Sequence, residues 1–289
     1  MLRLVHFSDV HVQVDYRREP WLPLGWRRWA ALVEMIGMRR EKRYAQAETT
    51  LGQLANEAVR HKADHVILSG DLTAMALDEE FRRARVALEP VAKNPKFSVI
   101  PGNHDVYARD AWNEDRFGRH FGDFLRSDWP EYQSEGAFPY VHLVGDEAAV
   151  IGLTSARVPL FPGAAVGWVG RKQLEALEKL VRDPRLKDRF TFVAVHHAPL
   201  NPKGRPDTPT HGLADARSLL DIVRGPKFAV LFGHIHKRYN HPSDGTRPHL
   251  FGAGSSTSKG HEGYWLYEVE RGELKAWHKL RIGENPARA

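Results

Sequence analysis

Histidine, aspartate and asparagine recur in this sequence just after short apolar runs. Five segments share the pattern: Ser8-Asp9-Val10-His11, Gly70-Asp71, Gly102-Asn103-His104-Asp105, His196-His197 and Gly233-His234-Ile235-His236. Imidazole nitrogens, carboxylate oxygens and amide oxygens are all metal ligands. The recurrence therefore predicts a metal centre that is assembled from five separate parts of the chain.

Each segment taken alone has a plainer interpretation, because a polar residue near a strand end more often hydrogen-bonds the backbone. Five such ends would, however, bury many costly polar groups at one edge of a sheet, and a shared cation offsets that cost. Seven or eight nitrogen and oxygen ligands exceed what one zinc-like ion needs. They suit two ions about 3.5–4 Å apart, the arrangement that clamps a phosphoryl group in two-metal enzymes.

The spacing within two of the segments favours convergence of their side chains. Residues i and i+2 of an extended segment point the same way, so Asp9 with His11, and His234 with His236, can each face one centre. The carboxylate of Asp71 has two oxygens and can bridge two cations. By the same periodicity His197 points away from that centre, which favours a supporting or substrate-lining position.

The apolar runs have the form of buried strands, at residues 3–8, 64–70, 97–102, 148–155, 190–197 and 228–234. Helical periodicity occurs between them, at residues 45–61, 77–92, 171–182 and 214–224. This alternation predicts an α/β layered fold with functional loops at the carboxyl ends of strands. Residues 249–256, 263–270 and 273–280 are expected to form antiparallel strands, with a turn at Arg271 and Gly272.

Composition restricts the choice of function. The 289 residues include 16 histidines but no cysteine, which excludes disulfides and thiolate zinc sites. The formal net charge is +6, but eight Lys or Arg against three Glu lie between Arg17 and Arg43. The remainder is close to neutral, which disfavours a broad nucleic-acid-binding face. The sequence shows no membrane-spanning run and no signal-peptide pattern, which predicts a cytoplasmic location.

Five motifs, DVH, GDLT, GNHD, VHHAP and GHIH, occur in this order between residues 9 and 236. They resemble the five sequence blocks of the calcineurin-like metallophosphoesterase superfamily, and within it the bacterial class III cyclic-nucleotide phosphodiesterases. The resemblance implies a four-layered α/β/β/α sandwich of two mixed β-sheets flanked by helices. We expect one such domain over residues 1–283, with a Trp/Arg-rich insertion or lid at about 15–44 and a flexible tail over 284–289.

Carried over motif by motif, the resemblance implies two divalent or trivalent metal ions such as Mn, Fe or Zn. Their ligand set would give one ion to Asp9, His11 and His236 and the other to Asn103, His196 and His234, with Asp71 bridging both. The resemblance also implies that His104 faces the substrate instead of binding metal, and that Asp105 orients it.

The chemistry expected from such a site is hydrolysis of a phosphate ester. Two cations lower the pKa of a shared water, so that hydroxide attacks phosphorus at neutral pH while an imidazolium protonates the leaving oxygen. Nucleotides or other small phosphodiesters are the expected substrates. The alternatives are a pyrophosphatase acting on a lipid-linked sugar nucleotide of the UDP-diacylglucosamine type, a nuclease, and a non-catalytic scaffold stabilised by metal.

Other residues have weaker claims to the site. Besides His197, a Pro-rich loop after the fourth motif carries Lys203, Arg205 and His211, which either contact the substrate phosphate or lie in a solvated turn. Gly254, Ser255 and Ser256 follow a predicted strand, where they either reach the site or allow close packing.

The segment from residue 20 to 44 follows the first motif closely and has an unusual composition. A helix there would carry an apolar stripe beside two arginines, formed by Trp26, Trp29, Val33 and Ile36 next to Arg27 and Arg28. Three interpretations remain open: a lid packed on the domain, a contact with an anionic membrane or an acylated substrate, and a homodimer interface.

Overall fold

The computed structural model describes residues 1–16, 28, 40–92, 97–159 and 163–286. Within these ranges the strands are β1 (Leu2–Phe7), β2 (His65–Leu68), β3 (Phe97–Val99), β4 (Tyr140–Val144), β5 (Ala148–Gly152), β6 (Phe190–Ala194), β7 (Phe228–Phe232), β8 (Arg238–His241), β9 (His249–Ala253), β10 (Tyr264–Glu270) and β11 (Glu273–Leu280). They form two mixed sheets. One has the order β11-β10-β1-β2-β3, and the other has the order β4-β5-β6-β7-β9-β8.

Parallel pairing at the centre of each sheet directs several strand ends the same way. Strands β1, β2 and β3 pair in parallel in the first sheet, and β5, β6, β7 and β9 do so in the second. Antiparallel strands lie outside them, with β10 and β11 in the first sheet and β4 and β8 at the edges of the second. The five polar motifs follow β1, β2, β3, β6 and β7, so they all lie at carboxyl ends of parallel strands.

Helices cover the outer face of each sheet. Leu51 and Phe81, on the helices Ala47–Arg60 and Asp78–Ala87, are buried in one cluster with residues of the first sheet. Leu177 and Leu219, on the helices Arg171–Leu180 and Ala216–Ile222, belong to a second cluster with residues of the second sheet. The other described helices are Arg40–Arg43, Glu89–Ala92, Arg109–Asn113 and Arg116–Phe121, with short 3₁₀ turns at Gly122–Phe124, Pro130–Tyr132 and Pro184–Leu186.

Aromatic side chains fill the space between the two sheets. Phe192 of β6 and Phe251 of β9 lie with ring centroids 5.2 and 4.9 Å from that of Tyr267 on β10, and all three are fully buried. Burying one such side chain contributes roughly 1.5–3 kcal/mol. The sheets therefore pack face to face, and the expected α/β/β/α layer order is confirmed.

The predicted strands and helices are all found, with three differences. The helical run 77–92 is divided, because the first helix ends at Ala87 and the next begins at Glu89. The run 249–256 does not join the antiparallel pair β10–β11, since β9 lies parallel to β7 in the other sheet. Two strands, β4 and β8, had no prediction; β8 reads Arg-Tyr-Asn-His, is half-buried at a sheet edge, and is formed through its pairing with β9.

Candidate metal centre

The loops after β1 and β2 lie side by side and bring the first two motifs together. The amides of Val10 and His11 both donate to the carbonyl oxygen of Asp71, at 2.8 and 3.0 Å, and the Val12 amide donates to Leu72. Backbone hydrogen bonds of this kind continue the strand pairing beyond the sheet. They place Asp9 and His11 beside Asp71, although about sixty residues of chain separate them.

Left-handed backbone, not extended backbone, directs the ligand side chains. The φ angles are positive at five of the motif residues, with values of 51° at Asp9, 52° at His11, 54° at Asp71, 68° at His234 and 57° at His236. The expectation that residues i and i+2 converge because the segments are extended was therefore wrong. A non-glycine residue in this region costs about 1–2 kcal/mol, and such strain concentrates at functional sites.

Four of these side chains form a compact group. One potential ligand atom from each of Asp9, His11, Asp71 and His236 lies within 4.8 Å of all the others. The Nε2 atom of His236 is 3.2 Å from Oδ1 of Asp9 and 3.2 Å from Nε2 of His11. Three of the four residues are buried, and His236 is partly exposed.

A second group surrounds the amide oxygen of Asn103. This oxygen lies 3.2 Å from Nε2 of His196 and 3.1 Å from Nδ1 of His234. The other nitrogen of each ring faces a backbone carbonyl, Ser69 for His196 and His211 for His234. A neutral imidazole carries only one proton, and a carbonyl partner requires it. Burial holds the pKa of His234 well below its usual range, so its ring is neutral and its Nδ1 presents a lone pair to Asn103. Burial also opposes a charge on His196, but the carboxylate of Asp71 raises the pKa of His196 to about 9, so without a metal ion its Nε2 carries a proton as well.

Asp71 lies between the two groups. Its Oδ2 atom is 3.4 Å from Nε2 of His196 and 3.9 Å from Nε2 of His11. Burial alone would raise the pKa of Asp71, but the adjacent His196, His104 and His11 hold it well below its usual range. A buried carboxylate is thus kept ionised between two clusters of imidazoles. Such a set of imidazole nitrogens, carboxylate oxygens and an amide oxygen fits two transition-metal cations, because a bound cation can replace the protons on these rings.

His104 lies at the same site but is held differently. Its backbone amide donates to Oδ1 of Asp71 at 2.8 Å, and its Nδ1 donates to the carbonyl of Ala74 at 2.8 Å. The ring stacks on Tyr107 at a centroid distance of 5.8 Å and meets the edge of His11 at 4.8 Å. Because Nδ1 holds its proton for a carbonyl, any proton transfer would fall to Nε2.

Asp105 does not fill the expected role of orienting the His104 ring through its carboxylate. Its oxygens accept the amides of Leu72, Thr73 and Gly102 at 2.9 to 3.2 Å, together with the hydroxyl of Thr73 at 3.0 Å. These four donors occupy the carboxylate, which ties the loop after β2 to the loop after β3. The contact that orients the imidazole of His104 comes from the Ala74 carbonyl, and no sequence pattern pointed to it.

Residues outside the motifs support the first group. The hydroxyl of Tyr44 lies 2.9 Å from Oγ of Ser255 and 3.4 Å from Nδ1 of His236, and Ser255 donates to the carbonyl of Asp9. Ser256 accepts the amide of Ser8 at 3.1 Å. The serines after β9 therefore brace the loop after β1. Tyr44 was not predicted, since a lone tyrosine at the end of an Arg-rich segment gives no signal of its own.

A cavity of about 400 Å³ opens over both groups. Its walls include His104, His211, Tyr107, Met75 and Arg43. A volume of this size suits a small molecule.

Of the three predicted substrate contacts, only His211 lines this cavity. Its Nδ1 lies 2.8 Å from Oδ2 of Asp207, and its ring centroid is 4.1 Å from that of His234. His197 is fully buried behind His234, with Nδ1 at 2.8 Å from Oγ of Ser155, so burial keeps it from the substrate. Arg205 is exposed on the Pro-rich loop and does not line the cavity. Its backbone amide donates to Oδ1 of Asn201 within that loop.

Most of the Trp/Arg-rich segment lies outside the described residues, so its membrane and dimer interpretations stay predictions. Within the segment the structure describes residues 40–44 and Arg28, and Arg28 was expected to flank an apolar stripe. It is buried instead, with 2% of its surface exposed, because its guanidinium hydrogen-bonds the backbone at Met75. In the part of the chain that the structure describes, the helices are too short or too polar to cross a bilayer.

Comparison with known proteins agrees with this geometry. A model of the calcineurin-like phosphoesterase family matches residues 2–238. The chain belongs to this family. It is 28% identical over 211 residues to the 3′,5′-cyclic adenosine monophosphate phosphodiesterase of Haemophilus influenzae, which is 72% of this chain and 65% of that protein. It is also 28% identical over 180 residues to a glycerophosphodiester phosphodiesterase of Enterobacter lignolyticus, or 62% and 58% of the two chains.

A shorter match is 38% identity over 79 residues with a probable cyclic nucleotide phosphodiesterase of Synechococcus, which is 27% of this chain and 29% of that one. The chain thus matches less than two thirds of the length of each of these relatives. Among solved structures, a dimetal phosphatase from Danio rerio is similar with a TM-score of 0.59 and 13% identity, over 98% of this chain and 99% of that one. At such identity the likeness concerns the fold alone.

Proposed function

We propose that this protein hydrolyses small phosphodiesters with the help of two metal ions. The observation that carries the proposal is the pair of clusters of potential ligand atoms on either side of Asp71, with His104 beside them in the lining of a cavity. Asp9, His11 and His236 would hold one ion, and Asn103, His196 and His234 the other. The bridging carboxylate would be that of Asp71.

Bound metal ions would supply Lewis acidity and lower the pKa of water at the site. The chain itself provides the remaining requirements. His104 is fixed at Nδ1 by Ala74 and between the rings of Tyr107 and His11, so its Nε2 can donate a proton to the leaving oxygen of the substrate. A positioned acid of this type is worth about 10²–10⁴-fold in rate. Asp105 contributes indirectly, by fixing the two loops between which His104 lies.

Two observations favour a small diester. The cavity of about 400 Å³ is near the lower end of small-molecule sites. Two of the relatives are a cyclic adenosine monophosphate phosphodiesterase and a glycerophosphodiester phosphodiesterase. Both names describe attack on a phosphodiester whose leaving group is an alkoxide, the case in which a proton donor matters most.

A substrate panel tests the proposal. Purified protein loaded with Mn, Zn or Fe would be offered a monoester, bis(4-nitrophenyl) phosphate, 3′,5′-cyclic AMP, glycerophosphoethanolamine, UDP-N-acetylglucosamine and linear DNA. We expect the diesters to be turned over, and the variant His104→Ala to retain both metals while losing most activity on the alkyl diesters. A protein that binds two ions but hydrolyses none of these compounds would instead be a metal-stabilised scaffold. Preferential cleavage of the UDP-sugar would indicate a pyrophosphatase, and preferential cleavage of DNA would indicate a nuclease.

A further inference from the structure

Arg28 is a buried cation with several backbone partners. Its Nε donates to the carbonyl of Met75 at 2.9 Å, Nη2 lies 3.4 Å from the carbonyl of Ala76, and Nη1 pairs with Oδ2 of Asp110 at 2.8 Å. Only 2% of the residue is exposed. Burying a guanidinium is unfavourable unless its donors are hydrogen-bonded, and Met75, Ala76 and Asp110 meet that requirement here.

The partners of Arg28 belong to the two loops that hold His104. Residues 73–77 form one of them, and there Ala74, next to Met75, accepts the Nδ1 proton of His104. The other loop contains Tyr107, whose ring stacks on His104, and leads into the helix that carries Asp110. The guanidinium of Arg28 therefore connects two parts of the structure. One is the loop whose Ala74 carbonyl binds Nδ1 of His104, and the other is the helix that follows Tyr107, whose ring stacks on that imidazole.

The ion pair with Asp110 does not by itself explain Arg28. Arg116 already pairs with the same carboxylate at 2.8 Å and donates to the carbonyl of Ala76 at 2.9 Å. Among the described contacts, the hydrogen bond to Met75 belongs to Arg28 and not to Arg116, and Met75 is one residue from the acceptor of His104. Removal of the Arg28 side chain would leave Asp110 and Ala76 paired with Arg116. We therefore expect it to shift the loop over residues 73–77 more than it lowers the free energy of unfolding.

We propose that Arg28 is a positioning residue for His104. Its guanidinium ties the loop over residues 73–77, which orients the imidazole, to the helix Arg109–Asn113 that follows Tyr107. The inference rests on the proposed function, because it assumes that His104 protonates a leaving group. It follows that loss of Arg28 should matter for substrates that need this proton and not for those that do without it.

Two kinds of diester separate these cases. Bis(4-nitrophenyl) phosphate releases a stable phenolate, whereas 3′,5′-cyclic AMP and glycerophosphoethanolamine release an alkoxide. For Arg28→Met we expect kcat on the better alkyl diester to fall about 10²-fold, the cost of misplacing a catalytic group by about 1 Å. On the phenyl ester kcat should change by less than about 3-fold, and the metal content should not change. Arg28→Lys should recover part of the loss, since an ammonium reaches one or two of the acceptors.

Further variants complete the test. His104→Ala should show the same selectivity, and the double variant Arg28→Met/His104→Ala should be no slower than His104→Ala, because both changes act through one group. Arg82→Met is the matched control: Arg82 lies on the exposed side of the helix Asp78–Ala87 and pairs with Glu79, so both substrates should be unaffected. Equal loss on the two substrates, loss of metal, or additive effects in the double variant would overturn the proposal, as would an unchanged rate.

An NMR measurement that does not depend on catalysis tests the role of Arg28 separately from the proposed function. In ¹⁵N-labelled protein the Nδ1 proton of His104 should be visible, because its carbonyl partner protects it, and His104→Ala assigns the signal. We expect Arg28→Met to broaden or shift this resonance and Arg82→Met to leave it unchanged. If the wild type hydrolyses no ester, the proposed function fails, and an unmoved resonance would then reject the role of Arg28 as well. If Arg28→Met does not fold, Arg28→Lys replaces it in both the kinetic comparison of the two diesters and the comparison of the His104 resonance.

Discussion

The side-chain oxygen of Asn103 lies 3.1 Å from Nδ1 of His234, and neither atom has a proton to offer the other. The same oxygen meets Nε2 of His196 at 3.2 Å. The neutral ring of His234 donates its one proton to the carbonyl of His211, while Nδ1 of His196 donates to that of Ser69. The contact between Asn103 and Nδ1 of His234 therefore joins two acceptors, which is unfavourable in the absence of a cation, and this is the strongest physical reason to place a metal ion at Asn103.

Replacement of Asn103 by aspartate tests that reason. If the amide oxygen binds a cation, Asn103→Asp should keep the second ion, because carboxylate oxygens serve equally as ligands and add charge. Asn103→Leu, similar in size, should lose it. Metal analysis by inductively coupled plasma mass spectrometry gives the stoichiometry. If the amide instead only hydrogen-bonds the two rings through its NH₂ group, the aspartate variant would lose metal together with the leucine variant.

The position of Asp71 between the two groups predicts a cooperative loss of metal. Its oxygen lies within 3.9 Å of one histidine from each group, so Asp71→Ala should empty both sites. His11→Ala should remove the first ion and leave about one per chain, because His11 belongs to one group only. The measurement is metal content after dialysis against a weak chelator. Retention of one tightly bound ion by Asp71→Ala would show that the carboxylate does not bridge.

Tyr44 should tune the first group from outside. The phenol hydroxyl lies 3.4 Å from Nδ1 of His236 and 2.9 Å from Ser255, and loss of such an outer partner typically costs 10–100-fold in metal affinity. We expect Tyr44→Phe to weaken Mn²⁺ binding about 10-fold in a competition titration. Tyr132→Phe is the control, since its hydroxyl bonds Asp183 away from the site. Equal affinities of the two variants would remove Tyr44 from the metal centre.

Gly102 allows the loops after β2 and β3 to touch. A Cβ atom there would overlap both the carboxylate and the backbone nitrogen of Asp71, so Gly102→Ala should lower the free energy of unfolding by about 1–3 kcal/mol and reduce metal content. At Gly122 an added Cβ would meet no heavy atom within 4 Å and φ is a helical −56°, so Gly122→Ala should be neutral or stabilising by up to about 1 kcal/mol. Urea unfolding of both variants checks this. A harmless Gly102→Ala would contradict the close approach.

Glu80 should make stability depend on pH. Burial raises the pKa of Glu80 from its usual 4.5 to about 7, although Tyr16 and the amides of Leu77 and Met75 donate to the carboxylate. Between these two values the folded chain holds a proton that the unfolded chain has released. The stability that Glu80 contributes is therefore present below pH 4.5 and is lost as the pH rises to 7, at up to about 1.4 kcal/mol per pH unit.

Comparison with Glu80→Gln isolates this contribution. The amide does not titrate, so the stability of the wild type relative to Glu80→Gln should fall from pH 4.5 to 7 and then level off. Urea unfolding in the presence of EDTA, at several pH values, measures the difference without a contribution from metal binding. Parallel curves would mean that the carboxyl has an ordinary pKa in the folded state, and a rising difference would mean that the carboxylate is stabilised.

Much of the fold could be predicted because apolar periodicity survives in the buried strands. Runs such as residues 190–197 and 228–234 are mostly apolar and end in polar motifs, which is typical of parallel strands covered on both faces. The edge strand β8 could not be predicted in this way, because half-buried Arg, Tyr, Asn and His show no alternation. Its partner β9 was assigned to the wrong neighbours, since sequence order does not specify which sheet a strand joins.

The sequence by itself determined the chemical character of the site, since the type and order of the motif residues are local properties that survive in the linear chain. Only the tertiary structure decided how they are held. The left-handed turns at Asp9 and His236, the carbonyl of Ala74 that orients His104, and the burial of Arg28 all depend on loops that are distant in sequence. A hydrogen bond to a backbone carbonyl leaves no trace in residue type, because every residue has that carbonyl.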